Sequence, residues 1–178
     1  KREQIAAFPM TARALQRLKP TKKDVVIGVS ASGMTPYVRG GLTRARKAGS
    51  KIIFVSCDPR TELQTFVDLT IAPAVGPEVI AGSTRLKAGT ATKLVLNMLT
   101  TAAMVRIGKT YGNLMVDLHT TSEEARERAR RIISMVTGLD NGEADKLLER
   151  AKWNVKAAIV MQKTKGGYTQ AMARLRKA

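Results

Sequence analysis

Acidic residues are scarce in this chain: 14 Asp and Glu stand against 31 Lys and Arg, a formal net charge of +17 over 178 residues. Such a balance ordinarily suggests a polyanion partner. A second shortage argues against nucleic acid, because aromatic residues are only 4% of the chain and stacking platforms are correspondingly few. No helix-turn-helix, zinc-finger or RNP pattern is present. The cations are also dispersed, in residues 1–2, 19–23, 44–51, 126–131 and 163–177, which fits a solvated basic surface. Nucleic acid is therefore not the expected partner, and non-specific polyanion binding is the weakest of the readings below.

Cysteine and histidine each occur once. A single Cys57 excludes an intramolecular disulfide and fits a reducing compartment. With no histidine near it in sequence, Cys57 reads as a small buried hydrophobe, not a nucleophile. His119 has no evident partner and reads as a surface or structural residue. No metal-ligand spacing occurs. No apolar run approaches the length of a membrane span, and residues 1–10 lack the apolar region of a signal peptide. The expectation is a cytoplasmic protein with no membrane partner.

What is present is strand–helix alternation. Residues 1–18 read as a basic amphipathic helix with Ile5, Phe8, Leu15 and Leu18 on its apolar side, interrupted by Pro9 and closed by Pro20. Residues 25–29, Val-Val-Ile-Gly-Val, form a short β-branched run suited to a buried parallel strand. Ser30-Ala-Ser32-Gly33-Met-Thr35-Pro36 follows. Thr35 can cap a helix whose first residue is Pro36, where a missing N–H costs nothing. Strand, hydroxyl-rich turn and helix N-terminus together make the geometry of a phosphate site at the carboxyl edge of a parallel sheet. A helix to about residue 48, a strand at 52–55, a short helical connection at 62–67 and a strand at 69–72 complete an α/β pattern.

The chain is organised around residues 76–112. A Gly/Pro-punctuated loop runs into a long helix in which Leu94, Val95, Met98, Leu99, Ala102 and Val105 recur at helical spacing. Ser83 or Thr84 is the expected N-cap. Arg85 and Lys87 then fall in or near the first turn, where the helix dipole disfavours cations. Either an external anion completes the site, or both side chains turn outward to solvent.

Gly76-Pro77-Glu78, two residues, then Ala81-Gly-Ser83-Thr84-Arg85-Leu-Lys87-Ala-Gly-Thr-Ala91, with Lys93, Leu96 and Asn97, resembles the signature of the N-acetylmuramic acid 6-phosphate etherases. The glucokinase regulatory proteins carry a similar signature, and both belong to the sugar isomerase (SIS) superfamily of phosphosugar-binding domains. Residues 111–118, Tyr-Gly-Asn-Leu-Met-Val-Asp-Leu, extend the resemblance to the etherases, which runs from about residue 24 to about residue 161. It implies an α/β fold: a partial SIS-type, flavodoxin-like parallel sheet flanked by helices, followed by a small helical region. After residue 118 the texture is helical, with segments at 122–136, 140–151, 154–161 and 168–176. Residues 137–161 resemble the etherases' ubiquitin-associated-like tail, with Trp153 as its anchor. The implied divisions are an N-terminal basic helix (1–20), a partial SIS domain (21–118) and a helical region (119–178).

The resemblance further implies a lyase that cleaves the lactyl ether of N-acetylmuramic acid 6-phosphate, giving N-acetylglucosamine 6-phosphate and D-lactate, without metal or organic cofactor. Ser30, Ser32, Gly33 and Thr35, with Ser83, Thr84, Arg85 and Lys87, would hold the phosphosugar. Glu78 is the candidate acid/base, against an alternative in which it caps a helix or orients Ser83 and Lys87. Full etherases have a longer N-terminal part that holds the first strands, a Gly-Ser-rich turn and the recognised acid/base glutamates. Three strands alone leave an exposed parallel edge, so a homodimer or a partner completing the sheet is expected. Two further readings stand beside the lyase: a non-catalytic phosphosugar-binding or regulatory module, and an inactive fragment of the etherase.

Overall fold

Four β-branched residues out of five give strand β1 (Val25–Val29) its extended backbone. It pairs in parallel with β2 (Lys51–Val55), which pairs in parallel with β3 (Leu69–Ile71), in the order β1-β2-β3. The computed structural model describes residues 13–177. It divides the chain into two compact units, one ending at Leu99 and one beginning at Thr100. Of the expected N-terminal helix, residues 13–17 are helical, whereas Ile5, Phe8 and Pro9 lie outside the described residues.

In the first unit, helix α1 (Pro36–Lys47) and a 3-10 turn (Glu62–Phe66) enclose one face of the sheet. Leu42, Ala45, Ile52, Phe54 and Leu63 form the buried cluster, each large side chain contributing about 1.5–3 kcal/mol by leaving water. Gly28 makes this packing possible. A Cβ there would fall 2.8 Å from both Leu42 Cδ1 and Val38 Cγ1, so a larger residue would push those side chains aside. Asp68 ties the neighbouring strands at their amino ends, accepting from the Ile52 N–H at 2.7 Å and pairing with Lys51 at 3.3 Å.

The opposite face is covered unevenly. Val55 is fully buried at the carboxyl end, whereas Val25 and Leu69 are 57% and 51% exposed, and Ile27 and Val29 are exposed as well. Parallel sheets ordinarily bury both faces, so this apolar surface is a feature of the fold. Helix α2 (Lys87–Arg106) is the expected long helix. Its expected apolar face is not collected into a core, however: Val95 and Ala88 are buried, but Leu94, Met98 and Val105 are exposed.

In the second unit a two-residue turn, Gly112-Asn113, joins β4 (Thr110–Tyr111) to β5 (Leu114–Met115) in an antiparallel pair. Four helices follow: α3 (Glu123–Thr137), α4 (Asn141–Arg150), α5 (Val155–Thr164) and α6 (Tyr168–Leu175). Their starts are written in the sequence. The Ser122 hydroxyl accepts from the Ala125 N–H, Asp140 and Glu143 form a reciprocal capping box, and Asn154 accepts from the Ala157 N–H. Gly138, at φ +74°, ends α3 in the left-handed conformation that glycine adopts most readily. Ile133, Leu148, Val155 and Ala158 are the buried centre, with Val116 from beyond β5 packed among them. Trp153 lies partly buried at its margin, beneath the guanidinium of Arg126 at 4.7 Å and of Arg130 at 5.7 Å.

Candidate functional site

Three loops leave the carboxyl ends of β1, β2 and β3, and every candidate residue of the site lies on one of them or just beyond. The first, Ser30–Thr35, is held by its own hydrogen bonds. Ser30 donates its N–H to Val55 O at 2.9 Å, and Gly33 donates to Ser30 O at 3.0 Å. Ser30 is buried, and its hydroxyl lies 2.8 Å from that of Thr35. Thr35 therefore occupies the cap position of α1 with its hydroxyl engaged by Ser30, not by the helix. Pro36 opens the helix as expected. Ser32 is exposed at the apex, so of the three hydroxyls in this loop it stands most open to a ligand.

The second loop, residues 56–61, holds Cys57 but none of the ligand-binding residues expected from the sequence. Ser56 is fully buried, accepts from the Asp58 N–H at 3.1 Å and contacts Ala31 O at 3.4 Å, while Cys57 donates its N–H to Ala31 O at 3.0 Å. The loop thus fastens the Ser30–Thr35 turn from beneath. Gly33 shows how closely the two pack. It has φ +73°, and a Cβ on it would meet Thr61 Cγ2 at 1.7 Å. Position alone could have flagged this loop, since it stands at the carboxyl end of a parallel strand, the place where such sheets bind ligands.

The third loop corrects the expected cap. Helix α2 begins at Lys87, so neither Ser83 nor Thr84 is its cap. Two of the free N–H groups are taken by a side chain from nine residues earlier: Glu78 accepts from Lys87 N and from Ala88 N, both at 3.0 Å. A carboxylate satisfies two such donors and the positive end of the helix dipole better than one hydroxyl can. These bonds, Ala88 first and Lys87 second, hold the Glu78 carboxyl below its usual pKa. Lys87 folds back, its Nζ donating to Pro77 O at 2.9 Å. Ser83 is half-buried, and Thr84 and Arg85 are exposed.

A cleft of about 510 Å³ opens among the three loops, with Ser32, Cys57, Asp58, Arg60, Glu78 and Thr84 on its walls. It brings together Ser32, Glu78 and Thr84 of the sequence candidates. Ser30 and Thr35 stand behind Ser32 through their shared hydrogen bond, whereas Ser83, Arg85 and Lys87 are not on its walls. Cys57 is half-buried there, with Sγ 3.6 Å from Ala88 O and 3.7 Å from Thr92 Oγ1. Among the described residues no group of three or more His, Cys, Asp or Glu side chains is placed to hold a metal ion. No helix of the described residues is long and apolar enough to cross a membrane.

No family model matches the chain. Individual curated proteins do match. The chain is 49% identical over 166 residues, 93% of its length, to the N-acetylmuramic acid 6-phosphate etherase of Rhizobium rhizogenes, covering 54% of that protein. It is 48% identical over 92% of its length to the protein of the same name from Alkaliphilus metalliredigens, covering 53% of it. For that of Rhodopirellula baltica the values are 50% identity, 84% of this chain and 49% of the relative. The resemblance carried by the motif at residues 76–97 thus extends over most of the chain. The chain spans about half the length of the curated relatives it matches.

Proposed function

We propose that this chain carries the phosphosugar grip of an N-acetylmuramic acid 6-phosphate etherase, a lyase acting in the cytoplasm on the lactyl ether of that sugar. The observation that carries this reading is the cleft at the carboxyl edge of the parallel sheet, walled by Ser32, Glu78 and Thr84. The sheet would be the SIS-type core, and the helices after residue 118 its small ubiquitin-associated-like appendage. The sugar 6-phosphate binds across the Ser30–Thr35 turn, where the exposed Ser32 hydroxyl stands ahead of the N-terminus of α1. Ser30, Gly33 and Thr35 set the shape of that turn, and Ser32 meets the phosphate. Ser83, Thr84 and Arg85 flank the sugar from the third loop. Lys87 contributes by leaving Pro77 O for the anion.

Elimination takes the proton beside the open-chain aldehyde and expels lactate, and water then adds across the double bond at the carbon the ether oxygen left. The route needs a base for that proton and an acid for the departing oxygen. Of the two carboxylates on the cleft wall, Asp58 is paired with Arg60, and Glu78 is the candidate acid/base. Incubating the chain with N-acetylmuramic acid 6-phosphate should release lactate and N-acetylglucosamine 6-phosphate in equal amounts.

One observation favours a second reading. Both Glu78 oxygens accept backbone N–H groups, which weakens the carboxylate as a base. On that reading the chain binds the phosphosugar without turning it over. Thermal stabilisation by the substrate with no lactate formed would select it. The half-covered sheet supports a third element of the proposal, that the chain works as a homodimer or with a partner that completes the sheet. Sedimentation at micromolar concentration should then show more than a monomer for the active species.

A further inference from the structure

A second cavity, of about 330 Å³, lies beside the first, with Gly33, Arg39, Asp58, Arg60 and Thr61 on its walls. Asp58 and Arg60 line both cavities, so they form the partition between them. Thr61 Oγ1 is buried on this wall without a hydrogen-bond partner, in a residue only 9% exposed. Buried hydroxyls are nearly always paired, so this one marks a wall with polar capacity in reserve. The two cations on the walls of this second cavity are arranged unequally. Arg39 reaches Glu62 at 3.5 Å. Arg60 is anchored at its base by Asp58, which accepts from its backbone N–H at 2.9 Å and lies 3.5 Å from Nε. Its side chain is 87% exposed, and the residue lines both cavities. Asp58 lies beside the Nε edge of the fork and leaves the Nη edge unengaged, and a two-donor edge matches a carboxylate.

The proposed substrate carries two anions, a phosphate and the carboxylate of its lactyl arm. The Ser30–Thr35 turn accounts for the first, and nothing assigned above accounts for the second. We infer that Arg60 binds the lactyl carboxylate and thereby sets the preference for the ether substrate over the same phosphosugar without its lactyl group. This rests on the phosphosugar reading. Asp58 is a positioning residue, holding Arg60 at the partition.

The test is calorimetric titration of the full chain with N-acetylmuramic acid 6-phosphate and, separately, with N-acetylglucosamine 6-phosphate. The parent should bind the carboxylate-bearing ligand more tightly. Arg60→Gln should lose about tenfold for that ligand and almost nothing for the other, the lower end of what one charge-assisted hydrogen bond provides. Arg60→Lys, which keeps the charge without the fork, should recover part of the preference. Equal losses for both ligands in Arg60→Gln, a preference that survives the substitution, or a parent without preference would each overturn the assignment while leaving the phosphosugar site standing. A parent that binds neither ligand would remove the phosphosugar reading, and this inference with it.

Discussion

Replacing Gly33 by alanine should damage the Ser30–Thr35 turn by two separable routes. The backbone there has φ +73°, and a residue with a Cβ in the left-handed region costs roughly 1–2 kcal/mol. The added methyl also lands 1.7 Å from Thr61 Cγ2 and 2.7 Å from Thr61 Cβ, so the two loops must separate. Forced overpacking of this kind costs typically about 1–3 kcal/mol. Together the penalty is about 2–5 kcal/mol, a large part of the roughly 5–15 kcal/mol that stabilises an ordinary domain. Because the chain has two units, one global unfolding curve would mix them. Amide hydrogen exchange along β2, in the centre of the first unit, reports the affected unit alone. Protection there should fall between about thirtyfold and a few thousandfold, at tenfold per 1.4 kcal/mol. Thr61→Ser removes Cγ2 and should return part of the loss when combined with Gly33→Ala, a favourable coupling in a double-mutant cycle. Unchanged protection in Gly33→Ala, or losses that simply add, would refute the close packing of the two loops.

Two further substitutions probe the site and the second unit. Glu78→Gln keeps one good acceptor where the carboxylate offers two, so the Lys87 and Ala88 amides should exchange faster while phosphosugar binding stays nearly unchanged and any turnover disappears; intact turnover would exclude Glu78 from the chemistry. Asp117 pairs with Lys109 at 2.6 Å and Lys156 at 3.2 Å, and its pKa is lowered chiefly by the hydrogen bond from Lys109. A lowered folded-state pKa contributes stability that is present above the unfolded pKa and lost as pH falls through the folded one. The stability gap between the parent and Asp117→Asn should therefore be widest near neutrality and close in acid; a gap that is constant or grows in acid would contradict the pairing.

Where a local signal decided the structure, the sequence was sufficient. The β-branched run before Ser30, Pro36 after Thr35, and the caps Ser122, Asp140 and Asn154 all act within a few residues, and each element formed where those signals put it. The β4–β5 pair had a local signal too, the Gly112-Asn113 turn, but its strands are two residues each and show no alternation. The start of α2, at Lys87, has no such local signal. Its cap comes from Glu78, across a loop whose path no periodicity encodes, and the nearer Ser83 and Thr84 offered the ordinary local answer. Likewise the apolar spacing of Leu94, Met98 and Val105 announced a helix but not whether that face would be covered. Asp58, Arg60 and Thr61 form no motif. They became part of the site only because β2 lies beside β1 and delivers its loop to the same edge.

The phosphosugar grip itself is tested most directly by titrating the chain and its Ser32→Ala variant with N-acetylmuramic acid 6-phosphate in a calorimeter. Ser32 is exposed at the apex of the turn and on the wall of the cleft, so its loss should leave the fold intact. The expected result is saturable binding by the parent, weakened about ten- to hundredfold in the variant, as for one hydrogen bond to a charged group. Equal affinity of parent and variant, or no saturable binding by the parent, would contradict a phosphate seat at Ser30–Thr35.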